Sequence, residues 1–204
     1  QFSLVLVNID PDVAVHQAVP VQVVITEAKP KRIALGIGYS SNNGARSEVN
    51  YANRNFMQRA LNLNSSVRLE QNRQSIATSI DTVADENGYV LSWGAVGEAT
   101  HIAGLQTARD KIGVTRSHTQ GQIETRLGLN FQQEQRKPLG GTNQLVQALV
   151  PDWQWQRRAI DDLLYPRNGH VSELRLGGAS RYWLSDRDFL RSYARQQFWW
   201  PLGE

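Results

Sequence analysis

The chain has 204 residues, long enough for one large domain or for a domain with a small companion, so burial of a core is not limited by length. Its 22 Lys and Arg stand against 19 Asp and Glu, and a formal charge of +3 with both signs interspersed argues against a nucleic-acid groove. No Cys is present, which excludes disulfides, thiolate metal sites and a cysteine nucleophile, and fits either a reducing compartment or an envelope protein that avoids thiols.

Residues 1 to 30 read as two strands, Phe2 to Ile9 and Val19 to Ala28, with a loop through Asp10, Pro11 and Asp12. Their β-branched content and the flanking prolines favour strand over helix, and a lone hairpin of this kind is marginal unless it belongs to something larger. From Arg32 a period-2 pattern sets in. Ile33, Leu35, Ile37 and Tyr39 share one face, and Arg32, Ala34, Gly36, Gly38 and Ser40 share the other. Ser41 to Gly44, "SNNG", suits a tight reversal, after which Val49 and Tyr51 alternate with Arg46, Glu48 and Asn50.

The alternation continues with Leu61, Leu63, Val67 and Leu69, then with Ile123, Thr125, Leu127, Leu129 and Phe131. Weaker candidates are Tyr89 to Thr107, Asp110 to His118, Asn143 to Arg157, His170 to Ser180 and Asp186 to Trp200. Together they predict roughly eight or more strands after Arg32. Between Gln71 and Thr82 the parity changes, and putting Leu69 and Ile76 on one face of one strand would require a bulge.

Such alternation serves a soluble β-sandwich and a membrane barrel equally, because the first turns its apolar face inward and the second outward. No stretch reaches the ~18 apolar residues of a membrane helix, so any crossing falls to strands. Many runs match the roughly 9 to 11 residues of a tilted spanning strand. The second face carries Arg, Glu, Asn, Gln and Gly, as a wet lumen would. Trp93, Trp153, Trp155, Tyr182, Trp183, Trp199 and Trp200 fall mostly near the ends of runs, where interfacial aromatics belong. The alternative for these tryptophans is ordinary core or edge packing.

No enzyme signature is present. There is no Gly-x-Ser-x-Gly elbow and no phosphate loop, and "GIGYSS" at Gly36 lacks the third glycine of a dinucleotide fingerprint. His16, His101, His118 and His170 lack metal-ligand spacing. The acidic stretch Asp81 to Glu86 lacks the ligand order of a calcium loop, so a solvated loop is the simpler reading. No catalytic, cofactor-binding or metal residue is assigned. A catalytic reading of Asp161, Asp162 and His170 lacks an accompanying nucleophile.

Three stretches resemble one family. Glu27 to Arg46, "EAKPKRIALGIGYSSNNGAR", is similar to the junction where the last POTRA domain passes into the first barrel strand of TamA-like proteins, in the BamA/TamA superfamily (bacterial surface antigen family) of outer-membrane assembly factors. Asp161 to Ala179, "DDLLYPRNGHVSELRLGGA", is similar to a hairpin of that barrel, and Ser185 to Arg191, "SDRDFLR", to the stretch before the next strand. The order and spacing match over essentially the whole chain. The Val-Arg-Gly-Phe/Tyr lumen motif and a terminal strand ending in an aromatic residue are absent.

The resemblance implies an all-β fold: the last two strands of a periplasmic POTRA domain at 1-30, then the N-terminal part of a transmembrane β-barrel at 31-204. Family barrels have about sixteen strands, so an incomplete barrel and a central piece of a longer protein are expected. It also implies insertion of β-barrel proteins, including autotransporters, in the bacterial outer membrane, without catalysis. The first barrel strand (Arg32, Ile33, Ala34, Leu35, Gly36, Ile37, Gly38 and Tyr39) would be the lateral seam, and Asp161, Asp162, Pro166, Arg167, Asn168 and Gly169 the hairpin turn. Gly36 and Gly38 read equally as relief of crowding or as a device that eases bending and slippage. Expected partners are outer-membrane lipid, unfolded outer-membrane or autotransporter polypeptides, and an inner-membrane-anchored TamB-like protein acting through the POTRA part, with no nucleic acid. The alternatives are a two-partner-secretion pore and a soluble β-sandwich binding module.

Overall fold

The protein is described by a computed structural model covering residues 2–9, 21–27, 29–41 and 44–201. Every regular element among them is a strand. β1 (Phe2–Ile9) and β2 (Val21–Glu27) form an antiparallel pair of their own, and the expected loop at Asp10 to Asp12 lies outside the described residues. The next ten strands form one sheet in chain order: β3 (Lys31–Ser40), β4 (Gly44–Phe56), β5 (Leu61–Glu70), β6 (Arg73–Asp81), β7 (Tyr89–Ile102), β8 (Leu105–Gln120), β9 (Ile123–Pro138), β10 (Gln144–Ile160), β11 (Gly169–Ala179) and β12 (Phe189–Trp199). Each is antiparallel to the next, and β3 and β12 are the two open edges.

Cross-strand register turns the period-2 pattern into two chemically different faces. On one, Leu35, Val49, Val67 and Ile76 lie in a row over β3 to β6, and Trp93, Val114 and Leu129 continue the same face over β7 to β9. On the other, Gly36, Glu48, Arg68, Ser75, Glu98, Arg109 and Glu134 make one row across seven strands. The apolar face has no protein cover: Leu35 is 76% exposed and Ile37 93%. Among the described residues only Ala148 and Val150 are buried apolar side chains. A soluble β-sandwich would place those aliphatic residues between two layers, and no second layer packs on this sheet among the described residues.

Two sequence expectations are corrected. The parity change between Gln71 and Thr82 is a hairpin, not a bulge: β5 reverses at Gln71 and Asn72, and Val67 then lies directly opposite Ile76 on the apolar face. The run Tyr89 to Thr107 is two strands. Ile102 pairs with Leu105, and the intervening Ala103 and Gly104 both have positive φ, 49° and 79°. This is the geometry of a two-residue hairpin whose twist suits the flanking strands, but Ala103 has a Cβ where glycine or asparagine is usual, so Gly104 alone marked the turn in the sequence.

Strand length rises towards the middle. β7 to β10 have 14, 16, 16 and 17 residues, more than the roughly 9 to 11 that cross a bilayer, so these hairpins extend beyond any apolar band.

Two outcomes are expected. Ala103→Gly removes the left-handed penalty and should raise unfolding stability of the detergent-folded protein by about 0.5–1 kcal/mol, read from the denaturant midpoint. The isolated chain in detergent-free buffer should aggregate or oligomerise through its two edges and apolar face. A monodisperse, cooperatively melting monomer under those conditions would contradict the membrane-facing assignment of that face.

Candidate functional site

The open edge starts at β3, which pairs with β4 from Lys31 opposite Asn53 to Ser40 opposite Gly44 and has no partner on its other side among the described residues. Ile33, Leu35, Ile37 and Tyr39 project from the apolar face, and all are exposed. Neither glycine of β3 is required by crowding. A Cβ on Gly36 would meet the Glu48 Cβ at an ordinary 3.8 Å, and one on Gly38 would meet nothing within 4 Å. What the two glycines remove is side-chain packing and stiffness along the edge strand. Of the expected "SNNG" turn, Asn42 and Asn43 lie outside the described residues, while Gly44 has a φ of 69°.

The polar face is concave, with cavities of about 730 and 650 Å³ lying against it. Five of its carboxylates are held by arginines two residues away on the same strand, directly across or diagonally across. Glu48 receives Arg68 at 3.1 Å and Arg46 at 3.5 Å, and Asn50 Nδ2 donates to it at 2.9 Å. Arg73 meets Glu98 at 2.5 Å, and Arg109 meets Glu134 at 2.6 Å with Arg136 on the same carboxylate. Glu124 takes Arg126 at 2.5 Å and Arg158 at 3.7 Å, and Arg175 pairs with the buried Glu173. Alternation explains the i, i+2 pairs, since residues two apart on a strand share a face. Isolated exposed pairs contribute little stability, but two arginines on one carboxylate order the wall of the concavity.

Between β10 and β11, the two aspartates organise the connection through backbone hydrogen bonds. Asp161 Oδ1 accepts the N–H groups of Arg167 at 3.0 Å and Asn168 at 3.1 Å, and Asp162 Oδ1 accepts those of Leu164 at 2.7 Å and Tyr165 at 2.9 Å. Hydrogen bonds from Asn168 first and then Arg167 hold the Asp161 carboxyl below the ordinary aspartate range, and those from Tyr165 and Leu164 do the same for Asp162. Pro166 contributes no donor, which suits a connection whose amides face these carboxylates. Gly169, with φ 120°, takes the left-handed residue of the reversal alone, and Asn168 is not left-handed. A Cβ on Gly169 would collide with the Ala159 carbonyl oxygen.

The segment from Ser180 to Asp188, before β12, folds back along β10. Asp186 N–H donates to the Gln147 carbonyl at 2.9 Å, its Oδ2 accepts the Gln147 N–H at 2.7 Å, and Ser185 Oγ accepts the Leu149 N–H at 2.9 Å. Asp188 accepts from the Arg181 backbone N–H and the Ser180 hydroxyl, which hold its carboxyl low.

The aromatic residues divide by position. Trp93, Trp153 and Trp155 lie inside β7 and β10 on the apolar face, not at strand ends, whereas Tyr182 and Trp183 lie in the connection before β12. Trp199 closes β12 on the polar face by parity, and Trp200 follows it. Sequence reasoning passed over Tyr89, which stacks on His118 with centroids 4.4 Å apart and carries the Arg116 guanidinium 3.8 Å above its ring, and Phe198, which lies 5.6 Å from Trp200. Their positions at the first and penultimate residues of strands were the available signal. Asp85 Oδ1 accepts the N–H groups of Asn87 and Tyr89, as a loop cap does, and no cluster of metal-ligating residues occurs among the described residues.

No protein-family model matches the chain, and no curated protein matches it. Among solved structures it is similar to BamA from Haemophilus ducreyi, in a crystal structure lacking POTRA domains 1-3. The TM-score is 0.68 at 11% identity, over 88% of this chain and 40% of that one. The fold is that of part of a BamA-type barrel. The all-β, antiparallel and incomplete-barrel expectation is thereby met, with ten strands after Pro30.

The β10–β11 connection yields a prediction of its own. Asp161→Ala should accelerate hydrogen exchange at Arg167 and Asn168 while the β10 amides stay protected. Because the ionised carboxyl is the acceptor and its folded value is lowered, protection in the unaltered chain is complete above the usual aspartate range near ~4 and is lost as pH falls through the folded value. Equal exchange in both proteins would remove the capping role.

Proposed function

We propose that this chain is part of an outer-membrane β-barrel assembly and insertion factor that works by strand templating rather than catalysis. The observation that carries the reading is β3: an edge strand with one side unpaired among the described residues, two glycines that crowding does not require, and an exposed apolar face, in a sheet of BamA-type fold. Alternate residues of an antiparallel edge direct N–H and C=O groups away from the existing partner. An incoming substrate strand satisfies them, and its side chains then fall on the apolar or polar face by the same period of two.

The apolar face suits hydrocarbon and the concave face suits water, which supports a place in the bacterial outer membrane with outer-membrane lipid as a partner. Within this reading, the β1–β2 hairpin is the end of a periplasmic POTRA domain, the protein is of the TamA type, and its substrates include autotransporters. A TamB-like inner-membrane protein would engage the POTRA part. In this orientation the loops after β4, β6, β8 and β10 face the periplasm, and Trp153, Trp155 and Phe198 belong to interfacial aromatics.

The test uses the full-length protein in its own membrane with a photo-crosslinking residue at Leu35 or Ile37, or at Val114 inside the sheet. Substrate polypeptide should be captured from β3 and not from β8. Equal capture at all three positions would sink the templating reading. In parallel, the double substitution Gly36→Val with Gly38→Val should raise stability by about 1 kcal/mol or more through β propensity. It should also slow assembly, and unimpaired assembly by a stabilised variant would separate the glycines from function.

A further inference from the structure

One concave-face cavity, of about 730 Å³, carries more positive charge than its ion pairs use. Glu134 is matched by Arg109 and Arg136, and Glu98 by Arg73. Asp110 also borders the cavity, but its register opposite Gly97 turns its side chain to the other face, where Oδ1 would lie 3.4 Å from a Cβ on Gly97. Lys111 on β8 and Arg187 in the β11–β12 connection remain, and neither forms an ion pair among the described residues. Both aspartates beside Arg187 are committed elsewhere, Asp186 to the Gln147 amide and Asp188 to Ser180 and Arg181. Arg187 is moreover held in place, because the residues before it are bonded to the β10 edge and Ser185 is only 8% exposed.

This cavity does not end at the charged wall. Val96 lines both it and the 650 Å³ cavity, which runs past Ala77, Ser66 and Asn64 to Arg32 on β3. Joined at Val96, the two run as one trough over the sheet, and Arg32 at its far end also forms no ion pair among the described residues. From this geometry we infer that the concave face receives an extended acidic polypeptide segment, whose carboxylates meet Lys111 and Arg187 while its chain lies along the small, neutral floor towards β3. Length favours a polypeptide over a lone anion, since a phosphate would occupy one end only. The inference rests on the reading of this face as the aqueous lumen of the proposed barrel, and it gives the substrate polypeptide a charge.

The experiment uses the full-length protein folded in detergent and a fluorescent octaglutamate peptide, with octaglutamine and inorganic phosphate as controls. Octaglutamate should bind in a salt-sensitive manner, and Lys111→Gln with Arg187→Gln should weaken it about tenfold or more. Lys111→Arg with Arg187→Lys should restore it, which separates charge from misfolding. Unchanged binding by the glutamine variant, or equal binding of octaglutamine, overturns the inference. Displacement by equimolar phosphate also overturns it and assigns the cations to a small anion or lipid phosphate. Peptide binding retained without crosslinks from β3 would count against the templating reading alone, and the converse against this inference alone.

Discussion

The fold depends on pairing the N–H and C=O groups of its inner strands within the sheet, because one face has no protein cover and offers no alternative partner. β10 shows how closely the sequence obeys this. Its residues alternate in direction, so the donors at 147, 149, 151 and 153 all face the β11 side. β11 pairs with β10 from Asp152 opposite Gly177 onward. At 151 the residue is proline, which has no donor to satisfy. At Leu149 and Gln147, where β11 has ended, Ser185 and Asp186 supply the acceptors. A proline inside a long central strand would ordinarily argue against the strand. Here it marks where one partner hands over to another.

The same constraint explains what could be read from the sequence. Once side chains alternate and neighbours are antiparallel, the two faces follow from parity, and the rows through Leu35 or Glu48 needed no further information. Hairpin positions were legible where glycine or a polar cluster advertised them, as at Gly44. They were hidden where the chain reversed on Gln71 and Asn72, whose chemistry is ordinary, and only Gly104 marked the reversal beside Ala103. The connection at 161–168 was readable as a reversal from Pro166 and Gly169, but not its mechanism. Two carboxylates gathering backbone amides from up to seven residues away leave no periodic trace. The Ser185 and Asp186 contacts were still less accessible, since they depend on residues 36 to 39 positions distant.

Electrostatics on the concave face follow from periodicity with an excess left over. Glu and Arg at i and i+2 neutralise one another without tertiary help, and cross-strand register adds a second arginine to Glu48, Glu124 and Glu134. This local pairing occupies Glu48, Glu98, Glu124, Glu134 and Glu173. Cations introduced outside the motif, from β3, β8 and the connection before β12, therefore face the trough unmatched. If this face lines the proposed lumen, unmatched charges of one sign select the sign of what enters.

The two open edges are not equivalent. β12 pairs with β11 over its whole length, Phe189 to Trp199, and is preceded by a segment bonded to β10, so lifting it away would disturb contacts reaching two strands inward. β3 has ten residues, two of them glycine, and outside β4 nothing among the described residues holds it to the sheet. Its exposed Leu35 and Ile37 gain no packing within the chain that opening would forfeit. Local opening follows the gradient of local stability, and that gradient runs towards β3. The edge exchange proposed above is best placed there, where the cost of unpairing is confined to one hairpin.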